Sequence, residues 1–374
     1  MPFEPFLMER WQSTWEHHVD VNLSESGVEP LTADALIETD PDLRRALLEQ
    51  PLHYVQTNGT PALRARIAAL YPGATEDHVE VTTGGAEANQ VVTWTLIEPG
   101  DEVVVMLPNY MQVWGLARAY GADTKGWRLV EDTAAGRWCP DMDALAEVVN
   151  ERTRIIAICN PNNPTGSCLT ADELDAIGVI ADRVGAYVLA DEIYRGAEIS
   201  AEEETASMWG RAERVVITSG LSKAYGLPGL RIGWIAGPTD LVARCWERHD
   251  YTTIAPSALS DLLAAHALEP TQRARILGRT RAILRENYPV IAEWLTAHRD
   301  ALTYVPPAAG AMLWLRYNHG GNSSELCERL RTEHGVLLVP GDHYGMDGFL
   351  RIGFGSGSEE LKDGLSRVAE ALRA

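Results

Sequence analysis

The chain has 374 residues, 45% of them hydrophobic and 23% charged, which is ordinary for a globular protein with room for two domains around a large core. A formal net charge of −21 opposes binding to nucleic acid or an anionic membrane, because their phosphates would be repelled. No apolar run approaches the length of a membrane span, and MPFEPFLMERWQSTWEHH lacks a basic region followed by an apolar segment, so a cytoplasmic location is expected. Cys139, Cys159, Cys168, Cys245 and Cys327 show no C-x-x-C spacing, which supports neither a zinc site nor a disulfide framework, and no metal is expected.

From the N-terminus, residues 3–20 read as a helix whose partly apolar face carries Phe6, Leu7, Trp11 and Trp15. His17 and His18 are adjacent, point in different directions on a helix and read as surface residues. LSESGVEPLT then forms a loop crossing the entrance to the candidate site. Residues 61–70, PALRARIAAL, make a helix with proline in its first turn. From 79 to about 237 short apolar runs alternate with helical patterns, the signature of a mostly parallel sheet with helices on both faces.

Within that stretch five segments carry chemistry. VTTGGAEAN, residues 81–89, reads as a strand, a Gly-Gly turn and a helix start; Gly84, Gly85 and Ala86 offer backbone N–H groups to an anion, although two glycines alone are weak evidence. After the strand 102–106, LPNYMQVW places Tyr110 where it either packs in the core or stacks on a cationic ring. Following the strand 155–159, in which Cys159 reads as a core residue, NPNNPTG forms a rigid turn that projects the Asn163 amide. The strand 186–190 ends in Asp191, at the edge where open α/β sheets place their ligands. A carboxylate there either caps a helix or keeps a pyridine nitrogen protonated, and Tyr194 can donate to a phenolic oxygen nearby. Finally SGLSKAYGLPGLRIGW follows the run 215–217: Lys223 can form an imine with an aldehyde, Ser219 and Ser222 offer hydroxyls, and Arg231 offers a planar fork to a phosphate. Alone, an S-x-x-K would be a surface lysine in a loop.

Residues 257–299 are strongly helical, and 302–374 mix strands with helices. In FLRIGFG, residues 349–355, Arg351 lies among alternating apolar neighbours and needs an anion, either a substrate carboxylate or a structural partner.

An aldehyde-binding lysine, a phosphate site and a pyridinium partner together fit pyridoxal 5′-phosphate (PLP). In their order, from about residue 20 to the C-terminus, these segments resemble the fold-type I PLP enzymes, the class I/II aminotransferases of the aspartate aminotransferase superfamily. The resemblance implies an α/β fold: a large domain with a mostly parallel seven-stranded sheet between helices, plus a smaller α+β domain. It places an N-terminal arm and part of the small domain at 1–45, the PLP-binding domain at 46–275 and the C-terminal small domain at 276–374. It implies that Lys223 binds the cofactor aldehyde and shuttles the α-proton, that Asp191 pairs with the ring nitrogen, and that Asn163 and Tyr194 hold the phenolic oxygen. Gly85, Ala86, Ser222 and Arg231 would hold the phosphate with Ser219, Tyr110 would stack on the ring, and Arg351 would bind the substrate carboxylate with Asn163 and the backbone near Gly27. Tyr54, in HYVQTNG, resembles a tyrosine that reaches the phosphate of a neighbouring subunit, which implies a homodimer.

Two departures qualify the match. Gly220 stands where many relatives have a serine, with Ser219 one step earlier, and PGDHYG carries Asp342 and His343 where many have small or hydroxyl residues. Transamination between an L-amino acid and a 2-oxo acid, with ping-pong kinetics, is the activity the resemblance implies first. FLMERW followed by NLSESGVEPLT also resembles the N-terminal block of the capreomycidine synthase type of PLP enzyme, which eliminates a hydroxyl from an arginine derivative and cyclises the product. On that reading Glu9, Glu25 and Asp342 would meet a guanidinium; otherwise they are surface acids. A non-catalytic binding protein of the same fold is disfavoured by the full catalytic set.

Overall fold

A computed structural model describes residues 4–372, apart from Thr39, Thr133 and His319. The first residue of the expected N-terminal helix therefore lies outside the described residues. The large sheet has eight strands, in the order 79–82, 233–236, 215–220, 187–191, 153–159, 102–107, 123–132 and 137–140. The five strands from 215–220 to 123–132 run parallel; 233–236 is antiparallel to both of its neighbours. Seven strands match the expected sheet, and Arg137–Pro140 adds an eighth as a hairpin on the outer edge. The inner runs VVVML and IIAIC are buried along their whole length, as strands covered on both faces must be.

Parallel connection brings the strand ends Leu107, Cys159, Asp191 and Gly220 to one edge of the sheet. Beside them the helix Gly85–Leu96 begins directly after the strand Val79–Thr82. Four antiparallel strands form the smaller sheet, in the order 302–304, 312–317, 349–353 and 339–340. The N-terminal segment joins this second unit. Val21–Asn22 pairs in parallel with Val336–Leu337, and the Gly353 amide donates to the Leu23 carbonyl at 2.7 Å. A side chain at Gly353 would overlap the Glu25 carbonyl, so the close approach requires glycine there.

The 28-residue helix Pro270–Ala297 spans both units. Thr280 donates to the Ala224 carbonyl beside the large sheet, and Asn287 donates to the Phe354 and Ser356 carbonyls beside the small one, all at 2.8 Å. The N-terminal helix is shorter than its pattern predicts, running Leu7–Trp15. Met8 and Gln12 make its buried face, and the Trp11 indole donates to the Leu338 carbonyl at 2.8 Å.

Candidate active site

A cavity of about 350 Å³ opens between the strand ends, the N-terminal helix and the small sheet. Lys223 and Asp191 line it, with the Gly85–Ala86 turn, Arg231 and Ser222 at one end and Arg351 at the other. At the first end the Arg231 guanidinium lies directly over Gly84 and reaches the Ser222 hydroxyl at 3.4 Å. Gly84 has φ 87°, and any side chain there would overlap that guanidinium. Arg231 itself sits at φ 51°, a strained value for a non-glycine residue and one that aims its fork at the glycine turn. With the amide groups at the start of the helix Gly85–Leu96, these groups form a concavity suited to an anion.

Asp191 meets the cavity from the sheet. Its carboxylate accepts from the Asn89 amide and the Ile193 N–H, each at 3.1 Å. Burial pushes its pKa up, and these two neutral donors only partly offset that. A half-buried carboxylate with neutral partners, facing the cavity, is a ready counter-ion for a protonated ring nitrogen. Lys223 stands in the same cavity, with Nζ 3.2 Å from Glu25 Oε2. The Lys223 ammonium is the main cause holding Glu25 down at about 2, against the opposing effect of burial.

Arg351 is 1% exposed. It donates through Nη1 to Asn163 Oδ1 at 3.0 Å and the Tyr344 hydroxyl at 2.6 Å, and through Nη2 to the Ser24 carbonyl at 2.6 Å. Among the described residues its Nε has no hydrogen-bond partner, leaving a buried donor at the cavity wall that a carboxylate would satisfy. Tyr194 donates to Ser26 at 2.8 Å, and Tyr110 donates to Glu9 at 2.8 Å. Burial, then the Glu9 charge, pushes the Tyr110 phenol well up. The site residues expected from the sequence that line the cavity are thus Gly85, Ala86, Tyr110, Asn163, Asp191, Tyr194, Ser222, Lys223, Arg231 and Arg351. Gly27 lies just behind Lys223: a Cβ on it would sit 3.5 Å from the lysine Cδ.

Three expectations need correction or stay apart. Ser219, expected among the phosphate ligands, is turned to the other side of its strand, where its hydroxyl donates to the Glu192 carbonyl at 3.2 Å. Asp342 does not face the cavity; it accepts the Ser324 hydroxyl at 2.8 Å. Tyr54 is 78% exposed and away from the cavity of its own chain. Sequence reasoning missed Asn89, Gln12 and Glu16, all of which line the cavity. Asn89 lies one helical turn after Gly85, on the same face, and that spacing was the available signal.

These donors fit a phosphate monoester at one end, a pyridinium opposite Asp191 and an amino-acid carboxylate at the other end, within the architecture of a fold-type I PLP enzyme. The family model "Aminotransferase class I and II" matches residues 20–368, and the protein belongs to that family. It is PLP-dependent. Over 99% of this chain and 93% of the other it is 34% identical to the capreomycidine synthase of Streptomyces vinaceus. Among solved structures, a PLP-dependent aminotransferase from Streptococcus suis superimposes with a TM-score of 0.92 at 32% identity, covering 100% of this chain and 98% of that one. The PLP-dependent cyclase OrfR superimposes with a TM-score of 0.88 at 28% identity, covering the same shares. Among the described residues no helix is long and apolar enough to cross a membrane.

Proposed function

We propose that the protein acts on an L-amino acid with a guanidinium-type side chain, eliminating a hydroxyl from it and closing a ring. The observation that carries this reading is the acidic wall of the cavity. Glu9, Glu16 and Glu25 line the side contributed by the N-terminal segment, next to Lys223 and on the approach to Arg351. Lys223 pairs with Glu25 at 3.2 Å, and a guanidinium matches the remaining carboxylates in charge and in planar hydrogen-bonding geometry, which a neutral or acidic side chain does not. The relatives named for capreomycidine synthesis and for cyclisation support the same reading.

In this proposal Arg351 and Asn163 orient the substrate carboxylate, and the acidic wall holds the far end of the side chain. PLP held by the residues of this cavity would supply an electron sink for charge developing at the substrate α-carbon. Asp191 keeps the ring nitrogen protonated, and Asn163 and Tyr194 hold the phenolic oxygen. Lys223 takes the α-proton and passes it to the departing β-hydroxyl, which leaves as water; a guanidine nitrogen then bonds to the β-carbon and gives up a proton, and Lys223 returns one to the α-carbon, so the net change is loss of one water. Gly85, Ala86, Ser222 and Arg231 hold the phosphate, and Tyr110 flanks the ring.

Transamination is the second reading, supported by the family and by the Streptococcus suis structure. One experiment separates the two. With a β-hydroxylated arginine-type amino acid and no keto acid, a cyclase turns over repeatedly and releases a product one water lighter. A transaminase stops after one half-reaction, with the cofactor left as pyridoxamine phosphate. That second outcome would overturn the cyclase reading.

We also propose a homodimer with shared active sites. Leu48, Leu52, Tyr54 and Tyr251 are each more than 75% exposed. Trp246 donates to Thr57 at 2.7 Å, which ties the segment after Tyr54 to the helix before Tyr251. A fully active monomer by light scattering would refute this.

A further inference from the structure

Behind the glycine turn lies a buried charged cluster that the chemistry above does not use. His249, the last residue of the helix Thr239–His249, is 0% exposed. Its Nδ1 lies 2.9 Å from Glu80 Oε1 on the strand Val79–Thr82, and its Nε2 lies 3.4 Å from Glu87 Oε2 in the first turn of Gly85–Leu96. Glu87 Oε2 also accepts the Thr83 N–H at 2.5 Å, and Glu87 Oε1 accepts the Thr253 N–H at 3.2 Å. The Thr83 and Thr253 hydroxyls lie 2.9 Å apart, and the Thr83 carbonyl meets Arg231 Nη2 at 3.5 Å. The Thr253 hydroxyl lies 2.9 Å from both Glu87 oxygens and 3.1 Å from His249 Nε2, so Glu87 pins the residue that opens the Gly84–Gly85 turn, and Thr253 and His249 together hold Glu87. Adjoining the pinned segment, Ile254 sits at φ 69°, strain that such anchoring would hold in place.

We propose that His249 is a positioning residue for the cofactor phosphate: as the imidazolium it keeps Glu87 on the Thr83 amide and cancels a carboxylate charge beside the anion site. The inference rests on the reading that the phosphate binds at Gly84–Ala86. Burial lowers the His249 pKa, but the carboxylates of Glu80 and Glu87 on either side of its ring outweigh that and raise it to about 9. Burial raises Glu80 to about 7, while Glu87 is held at about 2, burial being outweighed by hydrogen bonds led by that from His249. The other charged or titratable groups around the cluster are Arg64, Asp250 and Cys245. With a raised histidine pKa the hold is complete at neutral pH and is lost as pH rises through about 9, when Glu80 and Glu87 are left uncompensated. Below about pH 7 Glu80 gains a proton, but His249 stays charged and keeps Glu87.

The test measures the Kd of pyridoxamine phosphate, which has no aldehyde to react with Lys223, by fluorescence from about pH 7 to about pH 10. Wild-type affinity should be level to about pH 8 and then weaken about tenfold. His249→Gln should start about tenfold weaker and lose the part of the pH dependence that belongs to the histidine. Glu80→Gln should bind normally near neutrality but begin to weaken at a lower pH, because the imidazolium has lost a partner. A His249→Gln protein with the wild-type Kd and profile, or a Glu80→Gln profile that does not move, would overturn the proposal. Should circular dichroism show His249→Gln unfolded, the Glu80→Gln shift decides alone. Arg231→Ala separates the underlying reading: an unchanged Kd there removes the phosphate from this turn, whereas a large loss there with a normal His249→Gln refutes only the role of the histidine.

Discussion

At the sheet end of the cavity, Asp191 closes a strand hydrogen-bonded on both sides, and Lys223 follows another just past Gly220. At the opposite end Glu9, Gln12 and Glu16 belong to or adjoin a nine-residue helix, tied down by side chains such as the Trp11 indole and the Tyr110 hydroxyl. The first end is built to hold charges at fixed positions while bonds change. The second is built to read what the substrate carries. Rigid placement of the reacting groups and adaptable placement of the recognition groups are different physical demands, and the chain meets them with different parts of its length.

This division is broken if substitutions at the two ends have the same character. The largest effect expected is from Lys223→Ala, which should abolish the imine absorbance and lower turnover by about 10⁴-fold. Borohydride reduction and peptide mapping that found the pyridoxyl group on another lysine would end the assignment. Asp191→Ala should retain part of the bound PLP but lose about 10³-fold in turnover, read by cofactor absorbance and single-turnover rates. Next, Arg351→Lys should raise KM about 100-fold for every amino acid tested, charged or neutral, since a point charge replaces a bidentate fork.

Glu16→Gln sharpens the comparison. It should lower the preference for an arginine-type substrate over its neutral ureido isostere about tenfold while leaving kcat for the isostere unchanged. A uniform loss on both substrates would place Glu16 in the machinery and not in recognition. The smallest effect is in pH. Burial and then the neighbouring Glu25 raise the Glu16 pKa, whereas Lys223 holds Glu25 at about 2. On acidification Glu16 therefore takes a proton first while Glu25 stays ionised, so the preference should fall only a few-fold, about threefold, before binding itself fails. Competition assays from pH 7 downward check this.

The same contrast governs what could be read from the sequence. Lys223, Asp191 and Asn163 were legible because each ends or follows an apolar run, and parallel strands bring such positions to one edge; Arg231 was legible from the glycine- and proline-rich turn before it. Ser219 misled because it is the penultimate residue of the strand itself, where alternation turns its hydroxyl to the Glu192 carbonyl; Ser222, past the strand end, reaches the cavity. Asn89 and Asp191 meet only because a helix packs across the strand order, a relation no local pattern carries. The cluster of Glu80, Glu87 and His249 is assembled from three elements, so none of its segments looks unusual alone. Trp15 ends the first helix earlier than its aromatic periodicity implied, which brings Glu16 to a helix end at the cavity.

The pairing of Val21–Asn22 with Val336–Leu337, and of Leu23 with Gly353, has a consequence for size discrimination. The arm bonds through Leu23 to Gly353, on the strand that carries Arg351, so the gap between the carboxylate clamp and the acidic wall is fixed like the jaws of a caliper. Opening or closing of the cleft would move both jaws together and leave their spacing unchanged. Homologues of the substrate shortened or lengthened by one methylene should then be rejected by chain length alone, whatever the position of the cleft.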